Sequence, residues 1–336
     1  MSLPQTYKTL RSQGKDKAPI VEQLPLPKPG KNEVLIKMAF APINPVDIHT
    51  IHGAYGPGPA PSLVGLEGSG TIVAVGQDLK VPRQVGDKVS VLAIDPNAAH
   101  RFGTFGEYVI ISAETCQKIP EGLSMEEASC PYVNPSTAYY MFTIAQRGGH
   151  KAVIQDVAAS QVGRMLIRLL KSSGIKSINI VRRAESIEEL KKEGADYVLN
   201  SQDPDFETKL KEIATKEKAT LSFDAIGGDV PSTLLKNQSP GSICYVYGML
   251  SGRTVKEIQI GDLMQRKKVA GFVCVEHMIE RNEKGDVQNY FKEMTDLLPT
   301  AFKTNIQKVF KFEELKEAIE YAEKNASQGK VLLRFD

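Results

Sequence analysis

The chain lacks several features that define whole classes of protein. No run of about eighteen uninterrupted apolar residues occurs, so the sequence predicts no membrane-spanning helix. Its 42 lysines and arginines nearly balance 40 acidic residues, and the net charge of +2 provides no bulk field for nucleic acid or an anionic membrane. We therefore expect neither as a partner, and any anion must be recognised locally.

Cysteine is scarce and widely spaced. Cys116, Cys130, Cys244 and Cys274 form no C-x-x-C pair. This spacing indicates neither a disulfide framework nor a zinc knuckle. We expect the four side chains to be buried apolar groups in a reducing compartment.

The N-terminal segment lacks the apolar core of a secretory signal. Its basic, serine-containing composition is weakly typical of a mitochondrial presequence, but Pro4 and the early strand-like sequence argue against a cleaved leader. We expect a soluble intracellular protein, cytoplasmic by preference, with the mitochondrial matrix left open.

The first third of the chain has a β texture. Short β-like runs separated by glycine and proline extend to about residue 125 and indicate an all-β, barrel-like domain. Prolines crowd the stretch between the first two runs, so we predict a long loop there without a regular element, in a position where function is common. The runs are 33–40, 70–75, 88–93 and 105–111, and the prolines are Pro42, Pro45, Pro57, Pro59 and Pro61.

The texture changes at about residue 126 to alternating strands and helices, which is typical of a parallel sheet with crossover helices. Six strand-like runs match the full complement of a doubly wound Rossmann sheet. After residue 276, two helices and two strands are expected to return to the first domain. The six runs are 152–155, 177–181, 197–199, 221–225, 242–246 and 269–273.

The turn after the first of these strands is the expected dinucleotide site. Backbone N–H groups and the helix dipole favour a diphosphate there, although residues 155–163 keep only Gly163 of the G-x-G-x-x-G pattern. At the end of the next strand, where an acid would bind the ribose of NAD, stand Arg182 and Arg183. Two guanidinium groups favour the 2′-phosphate of NADP, so NADPH is the predicted cofactor.

This succession of domains resembles the medium-chain dehydrogenase/reductase superfamily across essentially the whole chain. In its zinc-dependent alcohol dehydrogenases, a cysteine precedes an aspartate in the proline-rich loop and a Gly-His-Glu segment follows. Here the corresponding segments are Asn44-Pro45-Val46-Asp47 and Gly65-Leu66-Glu67-Gly68. Leu66 cannot ligate a metal and Asn44 is a poor zinc ligand, so we expect no metal. His49 and His52 have no evident third ligand.

Within the zinc-free branch, four segments resemble the mitochondrial enoyl thioester reductases, which reduce 2-enoyl groups on acyl carrier protein or coenzyme A in fatty-acid metabolism. The segments at 41–48 and 153–155 are shared with quinone oxidoreductase-like relatives. Those at 53–57 and 133–139 match more narrowly. The four read Ala-Pro-Ile-Asn-Pro-Val-Asp-Ile, Val-Ile-Gln, Gly-Ala-Tyr-Gly-Pro and Val-Asn-Pro-Ser-Thr-Ala-Tyr.

The resemblance implies an α/β chain: a GroES-like β-barrel catalytic domain (1–125 and 277–336) and a Rossmann NADPH-binding domain (126–276). It makes Tyr55 the proton donor, a role that suits a phenol with a pKa of about 10. It also implies a homodimer, with the apolar run 272–275 as the candidate sheet edge. The implied NADPH contacts are Asn134, Ala159, Ser160, Gln161, Val162, Gly163, Arg182, Arg183, Val246, Tyr247, Gly248, Met249, Phe272, Val273 and Lys330.

Several residues depart from the family pattern and leave the substrate open. The chain has no tryptophan, and Val273 stands where these reductases commonly carry one. Val157, Ala158 and Tyr247 replace smaller or polar residues. A 2-enoyl thioester is the favoured substrate. Because pocket shape sets specificity, a quinone, an alkenal and an enone are the alternatives. A non-catalytic NADPH-binding relative is the third interpretation.

Overall fold

A computed structural model of the chain describes residues 3–14, 17–52, 62–93, 103–273, 275–325 and 328–335. Contacts divide the chain into two compact units. Unit 1 comprises Met1–Val133 and Lys284–Asp336, and unit 2 comprises Asn134–Glu283. The domain boundaries expected from the sequence fall slightly before these divisions.

Both units contain strands and helices, numbered here in chain order. The strands are β1 (Thr6–Ser12), β2 (Ile20–Pro25), β3 (Glu33–Pro42), β4 (Ser62–Leu63), β5 (Glu67–Val75), β6 (Lys88–Leu92), β7 (Tyr108–Ser112), β8 (Cys116–Lys118), β9 (Ala152–Gln155), β10 (Lys176–Val181), β11 (Tyr197–Asn200), β12 (Leu221–Asp224), β13 (Ile243–Val246), β14 (Lys268–Gly271), β15 (Ile306–Lys311) and β16 (Lys330–Arg334). The helices are α1 (Pro45–Ile51), α2 (Val133–Arg147), α3 (Gln161–Ser172), α4 (Glu185–Glu193), α5 (Phe206–Lys216), α6 (Val230–Lys236), α7 (Ile260–Met264), α8 (Val275–Glu283), α9 (Val287–Asp296) and α10 (Leu315–Asn325).

Unit 1 is organised around two β-sheets. The larger sheet runs β15-β16-β3-β5-β6-β8, and β7 also pairs with β3. The smaller sheet runs β2-β1-β4. All these pairs are antiparallel except β15 with β16, which are parallel. Side chains of the larger sheet, α1 and α10 meet in one buried apolar core, which includes Ile36, Ile51, Val91 and Leu333.

The prediction of a loop without regular structure between β3 and β5 was wrong, because α1 occupies Pro45–Ile51. Proline is compatible with the first helical position, where its missing N–H would have no intrahelical partner. The Asp47 carboxylate then accepts the N–H of Asn44, the residue before the helix, at 2.9 Å. The remaining prolines of this stretch, Pro57, Pro59 and Pro61, lie outside the described residues.

Unit 2 confirms the predicted Rossmann fold. Its six parallel strands run β11-β10-β9-β12-β13-β14, which is the strand order 3-2-1-4-5-6 of a doubly wound sheet. Successive strand residues point to opposite faces, so Ile180 packs with α5 and α6 while Val181 packs with α3 and α4. Helices therefore cover both faces of the sheet.

The candidate edge at residues 272–275 needs a correction. The outer strand β14 ends at Gly271, Phe272 follows without regular structure, and α8 begins at Val275. The sequence pattern failed here because a short apolar run suits a strand and a buried turn equally well. Phe272 is buried in an aromatic cluster instead. Across the described ranges, no helix combines the length and apolarity needed to cross a membrane.

Candidate functional site

The turn from β9 into α3 is held by a small set of buried polar contacts. Gln155, the last residue of β9, donates from Nε2 to the Gly163 carbonyl at 3.0 Å and to Asn179 Oδ1 at 2.7 Å. The Ser160 hydroxyl accepts the Gly163 N–H at 3.1 Å and caps α3. Val157 adopts φ = 45°, a left-handed conformation that is unusual for a β-branched residue. The turn is therefore fixed and strained.

Gly163 is required by close packing within this turn. A Cβ atom at this position would lie 2.4 Å from the carbonyl oxygen of Ala158. Glycine thus lets the first turn of α3 approach the preceding backbone. The turn therefore leads directly into the N-terminus of a 12-residue helix, where backbone N–H groups point along the helix axis. Such a terminus suits an anionic diphosphate, and the residues present fit a dinucleotide.

Most of the predicted cofactor residues lie at the carboxyl ends of the unit 2 strands. Ala159 and Ser160 follow β9, and Arg182 and Arg183 follow β10 as exposed side chains. The others on this edge lie in the first turn of α3, at the end of β13, or in the segments after β13 and β14, and Asn134 lies in the first turn of α2. These others are Gln161, Val162, Gly163, Val246, Tyr247, Gly248, Met249, Phe272 and Val273.

An aromatic cluster joins the segments after β13 and β14. The rings of Tyr247 and Phe272 stack at 5.9 Å between centroids, and Tyr140 of α2 meets Phe272 edge-on at 5.1 Å. Val273, in contrast, is 60 % exposed. The structure thus brings Tyr247 and Phe272 together but turns Val273 outward.

Two acids at this sheet edge were missed by the sequence reasoning. Asp156 follows β9 and is 1 % exposed, and Asp224 ends β12 and is fully buried. Asp156 Oδ1 accepts the Ala225 N–H at 2.9 Å, and its Oδ2 is buried with no hydrogen-bond donor. Burial, then the adjoining Asp224 carboxyl, raises the pKa of Asp156 well above its usual range. An acid at the end of both the first and the fourth Rossmann strand was the available signal.

Lys330, the one predicted cofactor residue in unit 1, belongs to a different buried cluster. Its Nζ donates to Asn44 Oδ1 at 2.6 Å, and Asn44 Nδ2 donates to Glu67 Oε1 at 3.1 Å. Glu67 Oε2 accepts the backbone N–H groups of Tyr132 and Val133 at 2.8 and 3.0 Å. A lysine, an amide and a carboxylate thus form one chain of hydrogen bonds inside unit 1.

Asp47 completes this unit 1 cluster. It is fully buried, and burial is the main cause that raises its pKa to about 7. The carboxylate of Glu67 raises it further, while the Asn44 N–H and the charge of Lys330 oppose the shift. Burial also raises the pKa of Glu67, with Lys330 as the first opposing influence. Lys330 is the cation that compensates the cluster.

The part of the chain that the structure describes contains no group of three or more His, Cys, Asp or Glu side chains able to hold a metal ion. His49 lies on α1 and His52 follows it, with Nε2 of His52 3.7 Å from Glu323. Burial, then the neighbouring His52, lowers the pKa of His49. Tyr55, the predicted proton donor, lies outside the described residues.

Comparisons with known proteins agree with this architecture. Residues 30–121 match the family model "Alcohol dehydrogenase GroES-like domain", and residues 162–299 match "Zinc-binding dehydrogenase". The mitochondrial enoyl-[acyl-carrier-protein] reductase of Rattus norvegicus is 30% identical over 80% of this chain and 70% of its own length.

Solved structures share the same fold. A candidate NADPH:quinone reductase from Mesorhizobium loti has a TM-score of 0.86 and 30% identity, covering 99% of this chain and 100% of its own. The quinone oxidoreductase of Escherichia coli, solved in complex with NADPH, has a TM-score of 0.82 at 23% identity and covers 97% of this chain and 99% of its own.

Proposed function

The chain belongs to the medium-chain dehydrogenase/reductase superfamily of oxidoreductases, and on that premise we propose that it reduces the conjugated C=C bond of a 2-enoyl thioester with NADPH. The observation that carries the proposal is the 30% identity to a mitochondrial enoyl-[acyl-carrier-protein] reductase over most of both chains. The fixed turn after β9 and the basic side chains after β10 support dinucleotide binding by this chain.

The choice of NADPH over NADH rests on Arg182 and Arg183. Both are exposed directly after β10, where a doubly wound fold presents the adenosine ribose to the protein. We expect the double variant Arg182→Ala/Arg183→Ala to weaken NADPH binding at least about tenfold while NADH binding stays within about twofold. Lys191→Ala, which removes an exposed cation of α4, is the control. Equal losses for both dinucleotides would contradict the assignment.

Bound NADPH supplies a hydride to the β-carbon of the enoyl group. The chain must then stabilise charge that develops toward the thioester carbonyl and deliver a proton to the α-carbon. We assign the proton to the phenolic O–H of Tyr55. Tyr55→Phe is expected to lower kcat about a hundredfold or more with little change in NADPH affinity, and unchanged turnover would remove the assignment.

A quinone is the second candidate substrate. It is favoured by the 30% identity to a candidate NADPH:quinone reductase over 99% of this chain. A quinone that accepts hydride can take its proton from water, so this reaction needs no placed donor. Tyr55→Phe should therefore leave quinone reduction nearly unchanged, which separates the two reactions in one variant.

The deciding experiment measures NADPH oxidation by the purified protein with crotonyl-coenzyme A, a long 2-enoyl-coenzyme A, an alkenal and a quinone, with NADH in parallel. Turnover of the enoyl thioesters supports the proposal. Turnover of the quinone alone moves the chain to the quinone reductases. NADPH binding without turnover of any substrate supports a non-catalytic relative.

A second copy of the chain is the protein partner we propose, docked along the outer strand of the six-stranded sheet. Among the described strands, β14 forms one edge of this sheet and pairs with β13. The preceding helix α7 exposes Ile260, Leu263 and Met264, with exposed fractions of 75, 55 and 81 %. Light scattering measures the mass of the wild type and of the double variant Leu263→Glu/Met264→Glu. A dimeric wild type and a monomeric variant support this partner, and an equal mass for the two proteins opposes it.

A further inference from the structure

The two buried acids of unit 2 lie where a doubly wound sheet binds its ligand. Asp156 follows β9 and Asp224 ends β12, and these adjacent strands are the first and fourth of the Rossmann order. The chain crossovers reverse direction between these two strands, and the ligand crevice opens outside their carboxyl ends. The pair therefore lies under the predicted diphosphate position, within unit 2.

The hydrogen bonds of the two carboxyl groups are unequal. Asp224 accepts two backbone N–H groups, from Ile226 at 3.2 Å and from Gly227 at 2.8 Å. Asp156 accepts one, from Ala225, and its other oxygen is buried without a donor. The N–H groups that they accept belong to the consecutive residues Ala225, Ile226 and Gly227, so the two carboxyl groups adjoin at the end of β12. Two carboxylates cannot hydrogen-bond, whereas a carboxylic acid and a carboxylate can.

The described surroundings of the pair provide no compensating cation. The titratable groups near the pair are the Cys244 thiol of β13 and the Tyr247 phenol in the segment after β13, and burial and then both acids raise the pKa of each. Neither group carries positive charge. In the described part of the chain, no lysine or arginine forms an ion pair or hydrogen bond with Asp156 or Asp224. Two negative charges buried together would be strongly unfavourable.

We propose that Asp156 and Asp224 share one proton, carried by Asp156 Oδ2, and that this proton sets the affinity of the site for the anionic dinucleotide. With the proton in place the pair carries one negative charge. When the proton is lost to solvent at alkaline pH, the pair gains a second negative charge beneath the diphosphate. This charge repels the anionic dinucleotide. The affinity part of this inference rests on the proposed use of NADPH. The proton sharing does not.

Asparagine at position 156 is the matched probe. Its amide can donate to Asp224 and accept from Ala225 as the protonated acid does, but it cannot ionise. Asp224→Asn is a second probe, because the pair then carries at most one charge at any pH. Asp196→Asn, a partly exposed acid bonded to Lys176 and Ser177 in the same sheet, is the control.

The experiment measures the Kd for NADPH from pH 6 to pH 10 by titration of each purified protein. We expect the wild type and Asp196→Asn to lose affinity about tenfold or more toward alkaline pH. Asp156→Asn and Asp224→Asn should lose much less. If both Asn variants follow the wild-type profile, the inference is overturned. A variant that fails to fold leaves the other to decide.

An infrared measurement tests the proton without cofactor. At pH 7 the spectrum of the wild type minus that of Asp156→Asn should contain the carbonyl stretch of a buried carboxylic acid, because Asp47, which also holds a proton near this pH, contributes equally to both spectra and cancels. A difference spectrum without this band would refute proton sharing. If no protein binds NADPH at any pH, the proposed function fails, and the infrared result alone decides whether the proton is shared.

Discussion

Each unit contains a pair of buried acids, but the charges of the two pairs are compensated differently. In unit 1, Asp47 and Glu67 lie in a cluster with the ammonium of Lys330, linked through Asn44. Among the described residues of unit 2, Asp156 and Asp224 accept hydrogen bonds from backbone N–H groups alone. A buried charge must be paired or neutralised. Unit 1 uses a cation, and we infer that unit 2 uses a proton.

The difference decides how each group responds to change. A cluster held by a lysine fails when that side chain is removed, at any pH. A pair held by a shared proton fails when the pH rises. Unit 1 is not wholly free of the second behaviour, because the pKa of Asp47 is raised to about 7 by burial. Mutations that remove one compensating group at a time therefore test the comparison.

The largest effect is expected from Lys330→Met. The side chain is 5 % exposed, so its removal leaves Glu67 buried without its cation and should lower the free energy of unfolding by about 3 kcal/mol. Urea denaturation at pH 7 measures this. Lys37→Met, at an exposed position of β3 in the same sheet, should change stability by less than about 0.5 kcal/mol.

The double variant Lys330→Met/Glu67→Gln isolates the charge effect from lost packing. It removes both charges and should recover a large part of the loss in unfolding free energy. A double variant no more stable than Lys330→Met would contradict the compensating role of Lys330.

The next largest effect is expected from Asp47→Asn, which should change how the free energy of unfolding depends on pH. In the folded protein Asp47 holds its proton up to about pH 7, against 3.8 for an unperturbed aspartate. The folded state therefore binds this proton more tightly than the unfolded chain does. The free energy of unfolding of the wild type is highest below about pH 3.8 in this respect, and it falls as the pH rises toward 7. The amide of the variant keeps an acceptor for the Asn44 N–H and does not ionise. The stability of the variant relative to the wild type should rise by roughly 2 kcal/mol from pH 5 to pH 7.

Chemical denaturation across this pH range provides the test. Asp78→Asn is the control, because Asp78 is an exposed acid whose carboxylate lies 3.3 Å from the ammonium of Lys31. Its stability difference from the wild type should not vary with pH. A flat difference for Asp47→Asn as well would mean that Asp47 is ionised in the folded protein at pH 5.

The sequence predicted the periodic parts of the fold well. Strand β9 was placed at its observed bounds and the six-stranded Rossmann fold was confirmed, because alternating apolar runs and helical spacing are local signals. The helix α1 was missed because the many prolines of this stretch indicated a loop, although Pro45 is the first residue of the helix. Phe272 was placed on a strand because local hydrophobicity does not distinguish a buried turn from an edge.

For the candidate site, the sequence could indicate only residues that lie on one turn. Ser160 and Gly163, which form a hydrogen bond, are three residues apart in sequence. Both lie in the turn where the glycine-rich motif is expected. Lys330 and Asn44 are 286 residues apart in sequence, and Asp156 and Ala225 are 69 apart, so no local pattern reveals either contact. Burial of the four acids depends on tertiary packing, which composition and spacing do not encode.

A smaller effect tests the rigidity of the turn in unit 2. Ser160→Ala removes the hydroxyl that accepts the Gly163 N–H, and should lower the free energy of unfolding by about 1 kcal/mol. Thermal or urea unfolding without cofactor measures it. Ser172→Ala, at the exposed end of the same helix, should stay within about 0.5 kcal/mol of the wild type. Equal effects for both serines would show that the cap does not stabilise the turn.

The smallest effect is expected from Val157→Gly, and it has the opposite sign. A β-branched residue at φ = 45° costs about 1–3 kcal/mol, and glycine relieves this strain. The unfolded chain gains freedom with glycine, which offsets roughly 0.5–1 kcal/mol. We expect a net stabilisation of about 0.5–1 kcal/mol in urea denaturation. Val85→Gly, at an exposed valine outside the left-handed region, should destabilise instead. If Val157→Gly also destabilises, apolar contacts of Val157 outweigh its backbone strain, and the turn beside Asp156 is held by packing as the unit 1 cluster is held by charge.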